Sequence, residues 1–214
     1  CLRLIAGAAT GTDNIDLEYC GNNGIAVTNI RGYARRAVPE HVLMLVLVLR
    51  RQLLPYRRDL AAGRWQQAPL FCFFDHPIRD LHGTTLALVG RGSLGQGVAR
   101  LAEAFGMHVL WAERPRAAVV RTGYVPFAEA VARADVLSLH CPLTPETRAL
   151  IGEAELRAMK RDALLVNTAR GGLVREPDLL SVLRARPDLF AVLDVTEQEP
   201  PPPDSAWFTL PNVV

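Results

Sequence analysis

Gly90-Arg91-Gly92-Ser93-Leu94-Gly95 forms a G-x-G-x-x-G string, and its surroundings decide what chemistry it can do. It follows a four-residue apolar run, Leu86 to Val89. It opens a segment with Val98, Leu101, Ala102 and Phe105 on one helical face. Strand, glycine loop and helix in that order can cradle a dinucleotide. Gly90 permits the tight turn, Gly92 lets a pyrophosphate approach the backbone, and Gly95 lets helix and strand pack closely. The helix N-terminus contributes free N–H groups and the positive end of its dipole. Glu113 ends the next apolar run, 18 residues after Gly95. A carboxylate there accepts hydrogen bonds from the adenosine ribose and repels a 2′-phosphate. That favours NAD over NADP, with adjacent Arg114 softening the preference.

The elements that must hold this loop alternate. Apolar strands are expected at Leu86–Val89, Val109–Trp111, Val136–His140, Ala163–Asn167 and Phe190–Val195. Helices are expected at Phe127–Arg133, Glu153–Met159 and Pro177–Arg184. Strands alternating with helices predict an α/β fold, a doubly wound parallel sheet covered on both faces. Upstream, Leu2–Ala6 and Ile25–Thr28 read as strands around a helix from Asn14 to about Cys20, capped by Asp13. Pro39 reads as the first residue of a helix continuing to about Ala62, where Gly63 stops it. Residues 65–81 are aromatic and irregular, broken by Pro69 and Pro77.

Composition narrows the function classes. The chain has 214 residues, half of them hydrophobic, with a net charge of +2. Such a charge provides no strong field for nucleic acid or an anionic membrane. The longest apolar run, Val42 to Leu49, falls well short of the roughly 20 residues a membrane helix needs. Cys1, Cys20, Cys72 and Cys141 show neither close pairing nor metal-ligand spacing, so no metal is expected and reduced thiols of a cytoplasmic protein are. No Ser–His–Asp or Cys–His signature stands out. The chain starts at Cys1 without a methionine and ends within the apolar run Pro211-Asn212-Val213-Val214, so both ends read as cuts through a longer protein.

Several further segments carry a resemblance. They are Ala8 to Asp16, Val38-Pro39-Glu40-His41, His140 to Thr147, Asn167 to Gly172, and Leu193 to Pro200. With the glycine loop, in this order and spacing, the chain resembles the D-isomer-specific 2-hydroxyacid dehydrogenases over essentially its whole length. Phe71 to Leu81 resembles the glycerate dehydrogenase or hydroxypyruvate reductase branch. The resemblance implies two domains with the active site in their cleft. Residues 1–31 would be the C-terminal part of a flavodoxin-like substrate domain, and residues 32–214 a Rossmann NAD-binding domain truncated at its end.

The resemblance also implies roles. Arg170 would be the catalytic arginine, holding the substrate carboxylate and polarising the C2 oxygen. It follows an apolar strand and so sits at the carboxyl edge of the sheet, where such folds bind ligands. Glu199 would be the catalytic glutamate that raises the pKa of a histidine, with Glu197 as its neighbouring candidate. Asp194, Thr168 and Ala169 would contact the nicotinamide carboxamide. Cys141, Pro142 and Thr147 would line the same pocket, and Ser93 and Leu94 would complete the cofactor loop. Thr10 and Gly11 would bind the substrate carboxylate through backbone N–H groups. The family carries its catalytic histidine in a Pro-His segment that none of His41, His76, His82, His108 and His140 matches. This chain is therefore expected to bind NAD and to turn over little. A homodimer built through the cofactor domain is expected, with a small 2-keto or 2-hydroxy acid as substrate. The alternative is a non-enzymatic NAD-sensing module like the transcriptional corepressors that share this fold.

Overall fold

A computed structural model describes residues 2–214, so Cys1 lies outside the described residues. Its centre is a five-stranded parallel sheet of β3 (Thr85–Val89), β4 (His108–Ala112), β5 (Val136–Leu139), β6 (Leu164–Asn167) and β7 (Phe190–Leu193), in the order β4-β3-β5-β6-β7. The inner strands read as largely apolar runs because both faces are covered. Leu86, Leu88, Val136, Leu164, Val166 and Val192 point to one side, under α2 (Ala37–Arg50) and α4 (Ser93–Ala104). Ala87, Val89, Leu137, Leu139, Leu165 and Ala191 point to the other, under α5 (Phe127–Arg133), α6 (Glu153–Ala158) and α7 (Glu176–Ala185). Gly97 lets α2 and α4 meet closely: a Cβ there would lie 2.6 Å from the Pro39 ring.

The strand order reverses beside β3. The chain leaves β3 for β4 on one side, then crosses back to β5 on the other. The crevice between the carboxyl ends of β3 and β5 is the place where this architecture accepts ligands. Gly90 ends β3 there with φ 107°, and a Cβ on it would lie 2.6 Å from the His140 carbonyl oxygen at the end of β5.

A separate two-stranded parallel sheet, β1 (Leu4–Ala6) with β2 (Ala26–Thr28), precedes this body. Its connecting helix α1 (Leu17–Asn22) is capped by Asp16, whose carboxylate accepts from the Tyr19 amide at 2.8 Å. Asp13 is thus not the cap that the sequence pattern favours; its side chain is drawn elsewhere.

The long helix expected from Pro39 to Ala62 is two helices. It begins at Ala37, and Pro39 sits in its first turn, where a missing N–H costs nothing. It stops at Arg50, and α3 (Leu53–Ala61) resumes after Gln52 takes a left-handed φ of 56°. The cause is tertiary. The Arg79 amide donates to the Arg50 carbonyl at 2.9 Å, and the Arg51 guanidinium pairs with Asp80 at 2.7 Å, so a distant segment caps α2.

The stretch after α3 is irregular but tied down. Arg64 holds Asp75 through two hydrogen bonds, His76 meets Asp59 at 2.6 Å, and the Trp65 indole donates to the Phe71 carbonyl. Phe71 and Phe74 nonetheless point outward, 87% and 79% exposed. At the far edge of the sheet, residues 212–214 run beside β7, with Ala191 donating to Asn212 and Leu193 to Val214 at 2.9 Å each. The buried Asn212 amide donates to the carbonyls of Leu183 and Leu189 at 3.0 and 2.9 Å, clamping this segment onto the α7–β7 turn.

Candidate dinucleotide and hydroxyacid site

The glycine loop has the geometry its sequence requires. A Cβ on Gly95 would overlap the Gly90 carbonyl oxygen, so close approach of helix and strand fixes that glycine. Gly92 is the opposite case: a Cβ there would meet nothing within 4 Å. Space above Gly92, next to the first turn of the twelve-residue α4, is what a pyrophosphate needs. Ser93 starts that turn, and the Gln96 side chain donates to the Arg91 carbonyl to brace the loop.

A cleft of about 660 Å³ opens beside the loop. Leu94, His140, Cys141, Pro142, Leu143, Thr168, Ala169 and Arg170 line it from the large sheet, and Thr10 to Asp13, Ile15 and Leu17 line it from the β1–α1 connection. The residues assigned to the nicotinamide end and those assigned to the substrate carboxylate therefore share one space. The Thr168 hydroxyl is buried there without a hydrogen-bond partner. An unpaired buried hydroxyl is costly, and a carboxamide would satisfy it. Open space at Gly92 and an orphan hydroxyl at Thr168 both fit a nicotinamide dinucleotide.

Asn167, buried at the end of β6, builds the turn that presents Arg170. Its amide donates to the Arg170 carbonyl at 2.9 Å, and its oxygen accepts from the Ala169 amide at 3.2 Å. Arg170 reaches across the cleft to Asp13: Nε lies 3.0 Å from both carboxylate oxygens and Nη2 lies 2.9 Å from Oδ1. The pairing holds the Asp13 carboxyl below its usual range and raises the Arg170 guanidinium above its own. Gly171 has no room for a side chain, because Thr196 and Glu197 backbone atoms press on it, so the loop bearing Glu199 is held against the arginine turn. Glu199 accepts from the Thr196 amide at 3.1 Å, and its charge acts on Arg170.

Other expected residues are held by neighbouring groups. The Asp194 amide donates to the Asn167 carbonyl, while its carboxylate faces His41 Nε2 at 3.4 Å. The Thr147 hydroxyl donates to the Pro142 carbonyl at 2.7 Å and accepts from the Thr144 amide, so it shapes the loop rather than facing the cleft. Burial pushes the Cys141 thiol up to about 11 and the His140 imidazole down to about 4. Near neutral pH the first stays a thiol and the second stays uncharged, which argues against a thiolate nucleophile or a charged imidazole there. Glu113 is buried with its acceptors taken. Oε1 receives the Arg114 amide at 2.8 Å and Arg121 Nη2 at 2.6 Å, and Oε2 receives the Arg121 amide at 3.0 Å and Nε at 2.7 Å. Arg121 above all holds this carboxyl down to about 2. Among the described residues no group of three or more His, Cys, Asp or Glu could hold a metal, and no helix is long and apolar enough to cross a membrane.

Sequence reasoning missed Asp13, Asn167 and Arg121 as parts of the site. Each acts through a partner distant in sequence or through a turn, and no local pattern marks such pairs.

Fold and cleft together define a dinucleotide-binding domain of the doubly wound class. Residues 43–214 match the family described as D-isomer specific 2-hydroxyacid dehydrogenase, NAD binding domain. The chain is 45% identical to a putative 2-hydroxyacid dehydrogenase of Haemophilus influenzae, across all of this chain and 69% of that protein. It is 46% identical to a glycerate dehydrogenase of Methylorubrum extorquens, across 94% of this chain and 62% of that one. The crystal structure of the TT0316 protein from Thermus thermophilus superposes with a TM-score of 0.86 at 40% identity, covering 100% of this chain and 67% of its own. The chain therefore belongs to the D-isomer-specific 2-hydroxyacid dehydrogenase family and carries its NAD binding domain.

Proposed function

We propose that this chain binds NAD(H) along the glycine loop and serves the interconversion of a small 2-keto acid and its D-2-hydroxyacid. Hydroxypyruvate/glycerate and glyoxylate/glycolate are the substrate pairs to test first. The observation that carries this reading is a single cleft holding both the Gly11 loop and Arg170, beside the orphan Thr168 hydroxyl. The dinucleotide, when bound, supplies the hydride exchange at C2. The chain's own groups do the rest. Gly90, Gly92, Gly95 and the α4 N-terminus hold the pyrophosphate, with Ser93 and Leu94 completing that loop. Thr168, Ala169 and Asp194 orient the carboxamide, Cys141, Pro142 and Leu143 wall off water, and Thr147 keeps their loop in shape. The Thr10–Gly11 backbone and Arg170 hold the carboxylate, and Arg170 stabilises charge on the C2 oxygen. Glu199 would raise the pKa of an imidazole that exchanges the hydroxyl proton.

None of the five histidines forms a hydrogen bond or ion pair with Glu199. Taken by themselves, these 214 residues bind dinucleotide in this reading, and a site without a group to exchange the hydroxyl proton turns over about 100- to 10,000-fold more slowly than one that has it. In this reading residues 1–31 belong to the substrate domain and 32–214 to the cofactor domain. Two copies associate through the face carrying Phe71 and Phe74. Titration with NADH and NADPH, followed by nicotinamide fluorescence and thermal stability, tests the core claim. Saturable binding with a raised Tm is expected, NADPH binding more weakly. A folded chain that binds neither dinucleotide would overturn it.

A further inference from the structure

Arg170 has five N–H donors, and the structure engages three of them. Nε and one Nη2 proton meet the Asp13 carboxylate at 2.9–3.0 Å, and one Nη1 proton meets the Ala169 carbonyl at 2.7 Å. One N–H on Nη1 and one on Nη2 remain. These two N–H groups are left to donate to oxygens of a planar carboxylate or of a 2-keto acid. A second observation lies on the same loop. A Cβ on Gly11 would overlap Arg170 Nη2 and come within 2.8 Å of Asp13 Oδ1, so only glycine lets the guanidinium lie flat against the carboxylate. The loop itself is braced. The Thr10 hydroxyl donates to the Ile30 carbonyl at 2.7 Å, and the Asn29 amide donates to the Thr10 carbonyl at 2.8 Å.

We propose that Asp13 is a positioning residue: from the opposite wall of the cleft it grips the Nε–Nη2 edge of Arg170 and so holds the remaining N–H groups of the catalytic arginine in place for the substrate. The partners are 157 residues apart in sequence and come from opposite walls of the cleft. Both side chains are partly exposed, so the pair adds little to global stability. Its effect is on orientation, the property a two-point carboxylate contact depends on. This inference rests on the proposed hydroxyacid site.

The test uses the whole chain loaded with NADH, and oxalate as a planar mimic of the 2-keto acid, read by quenching of nicotinamide fluorescence. Asp13→Asn is expected to weaken oxalate binding about tenfold or more, the loss of one well-placed charge-assisted contact, with NADH affinity unchanged. Asp13→Glu should recover part of the loss, and Gly11→Ala should reproduce it by displacing the guanidinium. Oxalate bound equally well by wild type and Asp13→Asn, whatever the change in Tm, would show a merely structural ion pair and overturn the proposal. Wild type that binds NADH but no oxalate overturns it too. Wild type that binds no NADH removes the proposed function itself, and this inference with it.

Discussion

Gly92 and Gly95 lie in the same loop but respond differently to substitution, and the difference separates folding from binding. Gly95→Ala forces a Cβ into the Gly90 carbonyl and is expected to destabilise the domain by about 1–3 kcal/mol, the range for overpacking. Gly92→Val meets no protein atom and should leave the Tm of the unliganded chain nearly unchanged while abolishing NADH binding. Calorimetry with and without NADH distinguishes the two. Arg121 offers a third test. It neutralises Glu113, so the repulsion of a 2′-phosphate expected from that carboxylate is muted. Arg121→Ala should widen the preference for NADH over NADPH by about tenfold, measured as a ratio of dissociation constants; an unchanged ratio would mean neither group meets the ribose. His140 gives the pH dependence. Its pKa falls from 6.5 to about 4 on burial, so the folded state resists a proton that the unfolded state accepts. Stability is full above about pH 6.5 and declines as pH falls toward 4, by an amount on the order of 3 kcal/mol at most. His140→Asn should flatten that part of a stability–pH profile.

Elements were legible where one stretch of sequence decides them. The strands from Leu86 to Leu193 and the helix at Phe127–Arg133 follow directly from apolar runs and their spacing. Boundaries set by tertiary partners were not. Asp13 and Asp16 are equally good caps by type; Asp16 caps α1, and Asp13 binds Arg170 instead. Nothing local marks the break at Gln52, because Arg79 and Asp80 impose it through partners 29 residues away. That break is testable. Gln52→Gly should be neutral or stabilising by up to about 1 kcal/mol, since glycine takes positive φ freely. Gln52→Val should cost about 1–2 kcal/mol in denaturant unfolding, because a β-branched residue resists that conformation. The candidate site follows the same division. The glycine loop was readable by type and spacing, whereas Arg170 and Glu199 were expected only from the resemblance of their segments to the family. The saturation of Glu113 and the Asp13 contact were not, because each depends on a partner brought in by the fold.

At the scale of the whole molecule, Trp65, Leu70, Phe71 and Phe74 stand exposed on a segment whose polar groups are firmly tied. Rigid, outward aromatic side chains mark association surfaces more often than bare solvent contacts. Sedimentation of the intact chain should report a dimer, and Phe71→Ser with Phe74→Ser should shift it to monomer without loss of NADH binding. A monomeric wild type would sink the dimer proposal. The β7 edge of the sheet carries a different consequence. By fixing residues 212–214 beside β7, Asn212 hides a row of backbone donors and acceptors that would otherwise template the strands of other molecules. The clamp thus acts against aggregation, and a chain shortened before Pro211 is expected to accumulate as insoluble, cross-strand-paired material while its glycine loop is still chemically intact.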